Sequence, residues 1–365
     1  MNETERFYYA EGRKVPLVQS RRFVAVQRPS AAAEGEPEEA AAAMASTLGF
    51  LADGGRVLDL PEYNLAVIAL PENNVGELRT TAASRADSVR AAVAGEAGLE
   101  LGPEVYETTE PGPEALIPIG EVIVRFKEGT AEEARQRLLR KHGLEVKQAD
   151  YPEPGSELVA VPAGRDPVDV ANELHESDAV EFAEPNFVVL TPRPESRSLE
   201  NGSTTLPGAT LEEATVAEQV ADAFAELPAL GEALPLPAAP PSDPGYPSQW
   251  GLRKIKAAEA WDISMGRSEV SVAIIDEGCD LSHEDLPYKT PGYDAYESDD
   301  NPTPQPQDGH GTSCAGVAAA KANNARGGAG VAPGCKILPV RIAKGIGGGF
   351  WDTTSAKVAD GIRKA

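Results

Sequence analysis

Two residues of the sequence have the types and surroundings that acid–base chemistry requires. Asp276 directly follows the apolar run Val270–Ile275, and a carboxylate at the end of a buried strand can orient a histidine. His310 lies between two glycines in the stretch DGHGTSCAG, where a small-residue helix is predicted to begin. A histidine there can act as a general base, because its ordinary pKa is close to neutrality. Either residue alone is usually structural, so the prediction rests on the pair.

The elements around this pair alternate between strand and helix. Val270–Ile275 and Lys336–Ile342 are apolar, β-branched runs of the kind found in buried parallel strands. His310–Asn323 predicts a helix between them, and a further helix is predicted over Thr353–Lys364. This order favours right-handed crossovers and a parallel sheet with helices on both faces. Residues 246–365 are therefore predicted to form an α/β domain whose chemistry lies at the carboxyl ends of the strands.

Two serines, Ser313 and Ser355, and Cys314 are candidates for other roles. Ser313 lies in a Gly-Thr-Ser-Cys-Ala stretch, but it shares the predicted helix of His310, whereas a nucleophile has to face the histidine from another element. Ser355 has no supporting motif. Cys314 lies four residues after His310 on the same helix face, and one His with one Cys is too few ligands for zinc. We predict a mostly buried thiol at Cys314 and no nucleophilic serine in this sequence.

Four stretches, in this order, resemble motifs of the subtilase family, the subtilisin/kexin-like serine proteases of peptidase family S8. WGLRKI from Trp250 resembles the entry to the mature domain, and IIDEGCDLSHEDL from Ile274 resembles the aspartate motif. DGHGTSCAG from Asp308 resembles the histidine motif, and GVAPGCKI from Gly330 resembles the strand that follows it. Four motifs in order over about 120 residues are a specific signal.

The resemblance implies a subtilisin-like catalytic domain and a serine endopeptidase with an Asp-His-Ser triad. Asp276 would orient His310, and His310 would deprotonate the serine. The family's serine and its oxyanion-hole asparagine lie in downstream motifs that this sequence lacks. We therefore predict that the catalytic domain is incomplete and that the 365-residue chain alone is inactive. The alternative is a non-catalytic, propeptide-like inhibitor or folding chaperone of another subtilase.

Two further residues take roles from the resemblance. Glu277 matches a position where kexins often carry an acid that binds basic substrate residues, and an acidic turn residue is the equal alternative. Asp285 matches a carboxylate that coordinates calcium in many family members, although the other oxygen ligands cannot be placed from sequence. No cofactor is expected to be required, and a structural calcium ion is the metal that the resemblance implies.

The front of the chain contains two segments with the same predicted order of elements, β-α-β-β-α-β, which indicates ferredoxin-like α+β units. The first unit spans 20–110 and the second spans 118–190. In the first unit, the predicted strands and helices are Arg22–Gln27, Glu38–Thr47, Val57–Leu60, Leu65–Leu70, Ser84–Ala94 and Glu104–Glu107.

The second unit has stronger signals, because its helix ends are marked. Thr130 is predicted to cap one helix that stops at Gly143, and Asp166 to cap the other. Both units resemble subtilase propeptides, which implies binding to the catalytic domain of their own or another subtilase. A Pro/Ala/Glu-rich linker over 191–245 is predicted to separate them from that domain.

Composition limits the remaining function classes. The formal net charge is −25, most of it before Tyr246, so nucleic acid and anionic membranes are not expected partners, whereas protein or peptide substrates are. Three cysteines are far too few for a disulfide scaffold. No signal peptide or membrane-spanning stretch is recognised, which predicts a cytoplasmic protein if the first methionine is the true start.

Overall fold

The computed structural model describes residues 6–28, 48, 55–71, 79–96, 99–108, 115–192, 241–347 and 349–365. The predicted helix over 38–47 and most of the predicted linker lie outside these ranges. Within them, no helix is both long and apolar enough to cross a membrane.

The second unit contains four antiparallel strands and two helices. Its elements are β7 (Ala115–Phe126), α2 (Glu132–His142), β8 (Glu145–Ala149), β9 (Ser156–Ala160), α3 (Pro167–His175) and β10 (Val180–Pro192). Strand β7 pairs with β10 on one side and β9 on the other, and β8 pairs with β9, giving the order β10-β7-β9-β8. Both helices supply side chains, such as Leu139 and Leu174, to one buried cluster with the sheet. The core therefore lies between the helices and the sheet.

Helix ends in this unit follow local chemistry with one exception. The Asp166 carboxylate accepts the Val168 N–H at 2.7 Å, and Gly143 ends α2 with φ 70°, as predicted. Thr130 does not cap α2: the capping position is Ala131, and the Thr130 hydroxyl instead donates to the Ala179 carbonyl at 3.4 Å. The helix starts one residue later than predicted because that hydroxyl is engaged with the segment before β10.

The first unit is built around a three-stranded antiparallel sheet. Its elements are β3 (Phe23–Gln27), β4 (Arg56–Leu60), β5 (Leu65–Ala69) and α1 (Arg79–Gly95), and the sheet order is β3-β5-β4. A bridge between Val26 and Leu101 closes the other edge of β3. The strand predicted at 104–107 to close the first unit does not join this sheet. The strand found there, β6 (Tyr106–Thr108), pairs instead with β2 of the large sheet.

An N-terminal hairpin that the sequence did not predict extends the large sheet. It consists of β1 (Phe7–Ala10) and β2 (Arg13–Gln19), and β6 connects it to β7. The hairpin packs on the second unit, where Tyr9 stacks on His175 with ring centroids 4.1 Å apart. It lies against α3, so it widens the second unit rather than the first.

The last third of the chain is an α/β unit. Its elements are α4 (Trp250–Lys254), α5 (Ala257–Trp261), β11 (Ser271–Asp276), β12 (Tyr293–Asp294), α6 (His310–Ala319), β13 (Lys336–Arg341), β14 (Lys344–Gly347), β15 (Phe350–Thr354) and α7 (Ser355–Lys364). Strand β13 pairs in parallel with both β11 and β12. Helix α6 stops at Ala319, four residues short of the predicted end. Gly330 lies so close to this end that a Cβ there would be 2.4 Å from the Ala319 nitrogen.

A strand of the second unit joins this α/β unit directly. Strand β10 pairs antiparallel with β15, from Val188 opposite Thr354 to Pro192 opposite Phe350. Strand β14 then pairs with β15, so that one nine-stranded sheet continues from the front units into the last third. The sequence predicted only a helix here, and that helix begins at Ser355, after Thr354 caps it.

Candidate active site

Asp276 and His310 meet at the carboxyl end of β11. The Asp276 Oδ2 atom lies 2.8 Å from His310 Nδ1, and its Oδ1 accepts the Glu277 N–H at 2.8 Å. The Asp276 side chain is 9% exposed, whereas that of His310 is 36% exposed. This is the geometry in which a buried carboxylate holds the Nδ1–H of an imidazole and leaves Nε2 able to accept a proton.

Glu277 binds the first turn of α6 through a hydrogen bond to its backbone. Its side chain is fully buried, and its Oε1 atom accepts the His310 backbone N–H at 2.6 Å. A carboxylate at a helix N-terminus is favourable because the first backbone N–H groups lack helical partners. In this structure the Glu277 carboxylate faces the start of the helix, and its role in substrate binding stays a prediction.

Close backbone approach sets the distance between the two residues. A Cβ atom on Gly311 would lie 2.2 Å from the Gly278 carbonyl oxygen and 3.0 Å from the Asp276 Cβ atom. Gly278 itself has φ +100°, a conformation that favours glycine. The two glycines next to Asp276 and His310 therefore let the loop after β11 touch α6.

Trp351 of strand β15 lies beside the catalytic-type histidine. Its ring centroid is 6.3 Å from that of His310, with the rings 64° apart. Asp308, just before the histidine, also contacts this region, because its Oδ2 atom accepts the Gly345 N–H at 2.9 Å. Strands β14 and β15 (the 344–354 hairpin) thus form one wall next to His310.

Two thiols lie near the pair. The Cys314 Sγ atom is 3.8 Å from His310 Nε2, and burial together with the nearby Asp276 charge raises the pKa of this thiol. Burial likewise raises the pKa of Cys279 to about 12. Both sulfurs are therefore protonated near neutrality and are poor nucleophiles.

Asp276, His310 and Cys314 also offer ligand atoms within 4.8 Å of one another, the geometry of a metal-binding group. His310 Nδ1, however, is held by Asp276 Oδ2 at 2.8 Å. Three ligands with one already engaged fit an acid–base pair better than a zinc site, which usually has four.

Neither serine candidate faces the histidine. The Ser313 hydroxyl donates to the Gly309 carbonyl at 2.8 Å, on the same helix as His310. Ser355 is the first residue of α7. In the part of the chain that the structure describes, no serine hydroxyl is hydrogen-bonded to the His310 ring.

Asp285 lies in a second polar cluster, between the segment that follows β11 and the segment that follows α6. Its side chain accepts the Asn324 amide, with Asp285 Oδ1 and Asn324 Nδ2 2.5 Å apart, and Asp243 accepts the backbone N–H groups of Asn323 and Asn324 at 2.7 and 2.9 Å. Both carboxylates are almost fully buried. Asp243 lies before the predicted domain start at Tyr246, so the sequence reasoning missed it.

Gly327 closes this cluster. A Cβ atom there would lie 2.6 Å from Asp285 Oδ2, so glycine leaves space next to that oxygen. The two buried carboxylates offer oxygen donors of the kind that suit a hard cation, whereas Asn324 turns its Nδ2 atom toward Asp285.

The site and fold define a class: a parallel α/β unit with an Asp–His pair at a strand end, preceded by docked α+β units. Two family matches specify it. Residues 267–364 match the subtilase family, Peptidase_S8, and residues 109–186 match the fervidolysin N-terminal prodomain. These matches support the prediction that the chain is a member of the subtilase family.

Individual relatives agree with these matches. The chain is 46% identical over 127 residues to thermitase of Thermoactinomyces vulgaris, covering 34% of this chain and 43% of that protein. It is 30% identical over 245 residues to the thermophilic serine proteinase of Bacillus sp. strain AK1, covering 67% and 48%. The chain thus spans less than half the length of either relative. The solved structure of fervidolysin from Fervidobacterium pennivorans aligns over 70% of this chain and 34% of that one, with 18% identity and a TM-score of 0.43.

Proposed function

We propose that this protein is a serine endopeptidase that hydrolyses peptide bonds with an Asp-His-Ser triad. The observation that carries the proposal is the 2.8 Å contact between Asp276 Oδ2 and His310 Nδ1 at the end of a parallel strand. Its relatives' names, thermitase and thermophilic serine proteinase, support the same reaction class.

Each residue of the pair has a defined role in the proposed reaction. Asp276 holds the His310 ring in the tautomer that bears a proton on Nδ1, and it stabilises the imidazolium that forms. His310 Nε2 takes the proton of the serine hydroxyl as the serine attacks the carbonyl carbon, and then gives it to the leaving amine. Glu277 positions the histidine backbone.

The nucleophilic serine and the oxyanion-hole donors are proposed to come from residues outside the 365. Support comes from Ser313, whose hydroxyl is committed to the Gly309 carbonyl and which shares the helix of His310. A separate element has to bring the nucleophile to Nε2. The 365-residue chain alone is therefore expected to be inactive.

The front units are proposed to act as a prodomain that binds its own catalytic domain. Strand β10 pairs with β15, which contains the histidine's neighbour Trp351. Side chains reinforce this backbone pairing: Asn186 Oδ1 accepts the Ala356 N–H at 3.2 Å, and Arg363 donates to the Pro152 carbonyl at 2.6 Å. A unit that occupies this wall would keep a substrate from using it.

Calcium is proposed as a structural ion at the cluster of Asp243, Asp285 and Asn324. The ion would supply charge compensation for two buried carboxylates and so stabilise the loop after α6. It takes no part in the proposed peptide hydrolysis. Chelation of the metal with EDTA is expected to lower the thermal unfolding temperature, and Asp285→Asn is expected to abolish that shift.

The test of the proposed activity uses the product of the complete reading frame and a fluorophosphonate probe, which labels activated serines. Labelling is expected in the wild type and in His142→Ala, a control in the second unit, and it should be lost in His310→Ala. Wild-type protein that folds but is not labelled, or labelling that survives His310→Ala, would overturn the proposal and favour the non-catalytic inhibitor or chaperone.

A further inference from the structure

The first unit contacts the 344–354 hairpin through an apolar cluster. Phe350 of β15 packs with Phe23 of β3, with ring centroids 5.8 Å apart and planes at 89°. Leu58 of β4 and Val188 of β10 belong to the same buried cluster, and Ile346 of β14 packs against it. One continuous core therefore connects the first unit, the second unit and the hairpin.

A charged contact lies beside this cluster. Glu62, between β4 and β5, pairs with Lys344 of β14 and, at 3.3 Å, with Lys357 of α7. The side chains of the two lysines are only 19% and 16% exposed. Burial alone would raise the pKa of Glu62, but the hydrogen bond from Lys344 and the charge of Lys357 bring that pKa below its ordinary value. The ionised carboxylate is thus favoured in this contact.

Both lysines also lie over one aromatic ring of the α/β unit. Lys357 Nζ is 3.4 Å and Lys344 Nζ 4.8 Å from the Tyr296 ring centroid. Glu62 therefore closes a cluster in which two cations share one ring, and together with Asp352 it supplies the carboxylates that balance their repulsion. Removing that charge would leave two half-buried lysines close together on the hairpin and α7.

The contact reaches the site through adjacent residues. Phe350, held by the first unit, directly precedes Trp351, whose ring lies 6.3 Å from that of His310. Lys344 begins β14, next to Gly345, whose N–H is bound by Asp308. A displacement of the first unit would therefore remove its contacts with both strands of the wall next to the histidine, while β15 would stay paired with β10.

We infer that the first unit is a second inhibitory element, which binds the 344–354 hairpin of its own subtilase domain through Glu62 and the Phe23–Phe350 contact. The inference rests on the proposed protease function and assigns a role to a segment outside the fervidolysin prodomain match at 109–186. Activation of the protease then requires two separations: strand β10 from β15, and the first unit from the hairpin.

Amide hydrogen exchange on the full 365-residue chain tests the contact without any catalysis. Glu62→Gln keeps the side-chain shape and removes the charge, and Glu96→Gln is the matched control, since Glu96 is exposed in the same unit. The expected result is exchange about tenfold faster in residues 344–354 for Glu62→Gln, with β7 and β9 unchanged and the control like the wild type.

Unchanged exchange in residues 344–354, or an equal acceleration in every strand, would overturn the inference. Glu62→Asp, which keeps the charge on a shorter side chain, should exchange more slowly in residues 344–354 than Glu62→Gln. In the complete product, the unprocessed Glu62→Gln protein should label with fluorophosphonate about threefold faster than unprocessed wild type. If neither the wild type nor any variant is labelled by fluorophosphonate, the protease proposal fails. The exchange experiment still shows whether Glu62 holds the first unit on the hairpin.

Discussion

The two front units dock on the same hairpin by different means. The second unit contributes the backbone of β10, which pairs with β15 over five register positions. The first unit contributes side chains, chiefly Phe23 and Glu62. Backbone pairing depends little on which side chains the strand carries, whereas a side-chain contact depends on shape and on charge. The docking of the first unit should therefore respond more strongly to changes in side-chain shape and charge.

The largest effect should come from breaking the backbone contact. Val189→Pro removes an N–H from a strand that is paired on both edges, and it is expected to cost about 3 kcal/mol or more of unfolding free energy. Val189→Thr keeps the N–H and a β-branched side chain and should cost less than about 1 kcal/mol. Urea denaturation measures both. Equal costs for the two variants would mean that side chains, and not the backbone, dominate this contact.

Phe350→Ala should have the next largest effect, on the side-chain contact. Phe350 is 9% exposed and packs between the two front units, so truncation leaves a cavity expected to cost about 3 kcal/mol. Val146→Ala, at a 39% exposed position in β8, is the control and should cost less than about 1 kcal/mol. If Phe350→Ala lowers the unfolding free energy no more than the control does, the first unit does not pack tightly against Phe350. Thermal unfolding followed by circular dichroism provides the measurement.

The smallest effect concerns pH. Burial raises the pKa of Asp352 to about 6, while the hydrogen bond from Tyr296 acts in the opposite direction. Because the pKa of Asp352 is higher in the folded state than in the unfolded chain, the protein is stabilised by protonation of this carboxyl. That contribution to the unfolding free energy is complete below about pH 4 and is lost as the pH rises through about 6.

Asp352→Asn removes this dependence, so its stability relative to wild type should increase by on the order of 2 kcal/mol between pH 4 and pH 7. Val146→Ala, which changes no titratable group at an exposed position, should show no such trend. Urea denaturation at several pH values measures the difference. Parallel pH curves for wild type and Asp352→Asn would contradict the assigned protonation of Asp352.

The parts of the fold that the sequence predicted correctly depend on local chemistry. The positions of Asp276 at a strand end and of His310 at a helix start could be read because an apolar run precedes Asp276 and glycines flank His310, while their catalytic roles stay a prediction. The caps at Asp166 and Gly143 were likewise readable from adjacent residues. In each case, a few neighbouring residues contain the whole signal.

The missed parts depend on contacts between distant segments. The pairing of β10 with β15 joins residues more than 150 positions apart, and nothing in the sequence of either strand indicates which strand it pairs with. Trp351 could not be placed near His310 from sequence, because Phe350–Thr354 was not recognised as a strand. The burial of Glu277 was missed for a related reason: an acid after a strand looks like a turn residue until the helix start above it is known.

The continuous pairing of β10 has a kinetic consequence. A strand held by five consecutive pairs from Val188 opposite Thr354 to Pro192 opposite Phe350 cannot leave by a hinge rotation, because all pairs would have to break together. Its departure is instead a peeling process that starts at one end and breaks one pair at a time. The terminal pairs open and reclose many times before the strand separates, so the lifetime of the attached state depends on the summed stability of all five pairs.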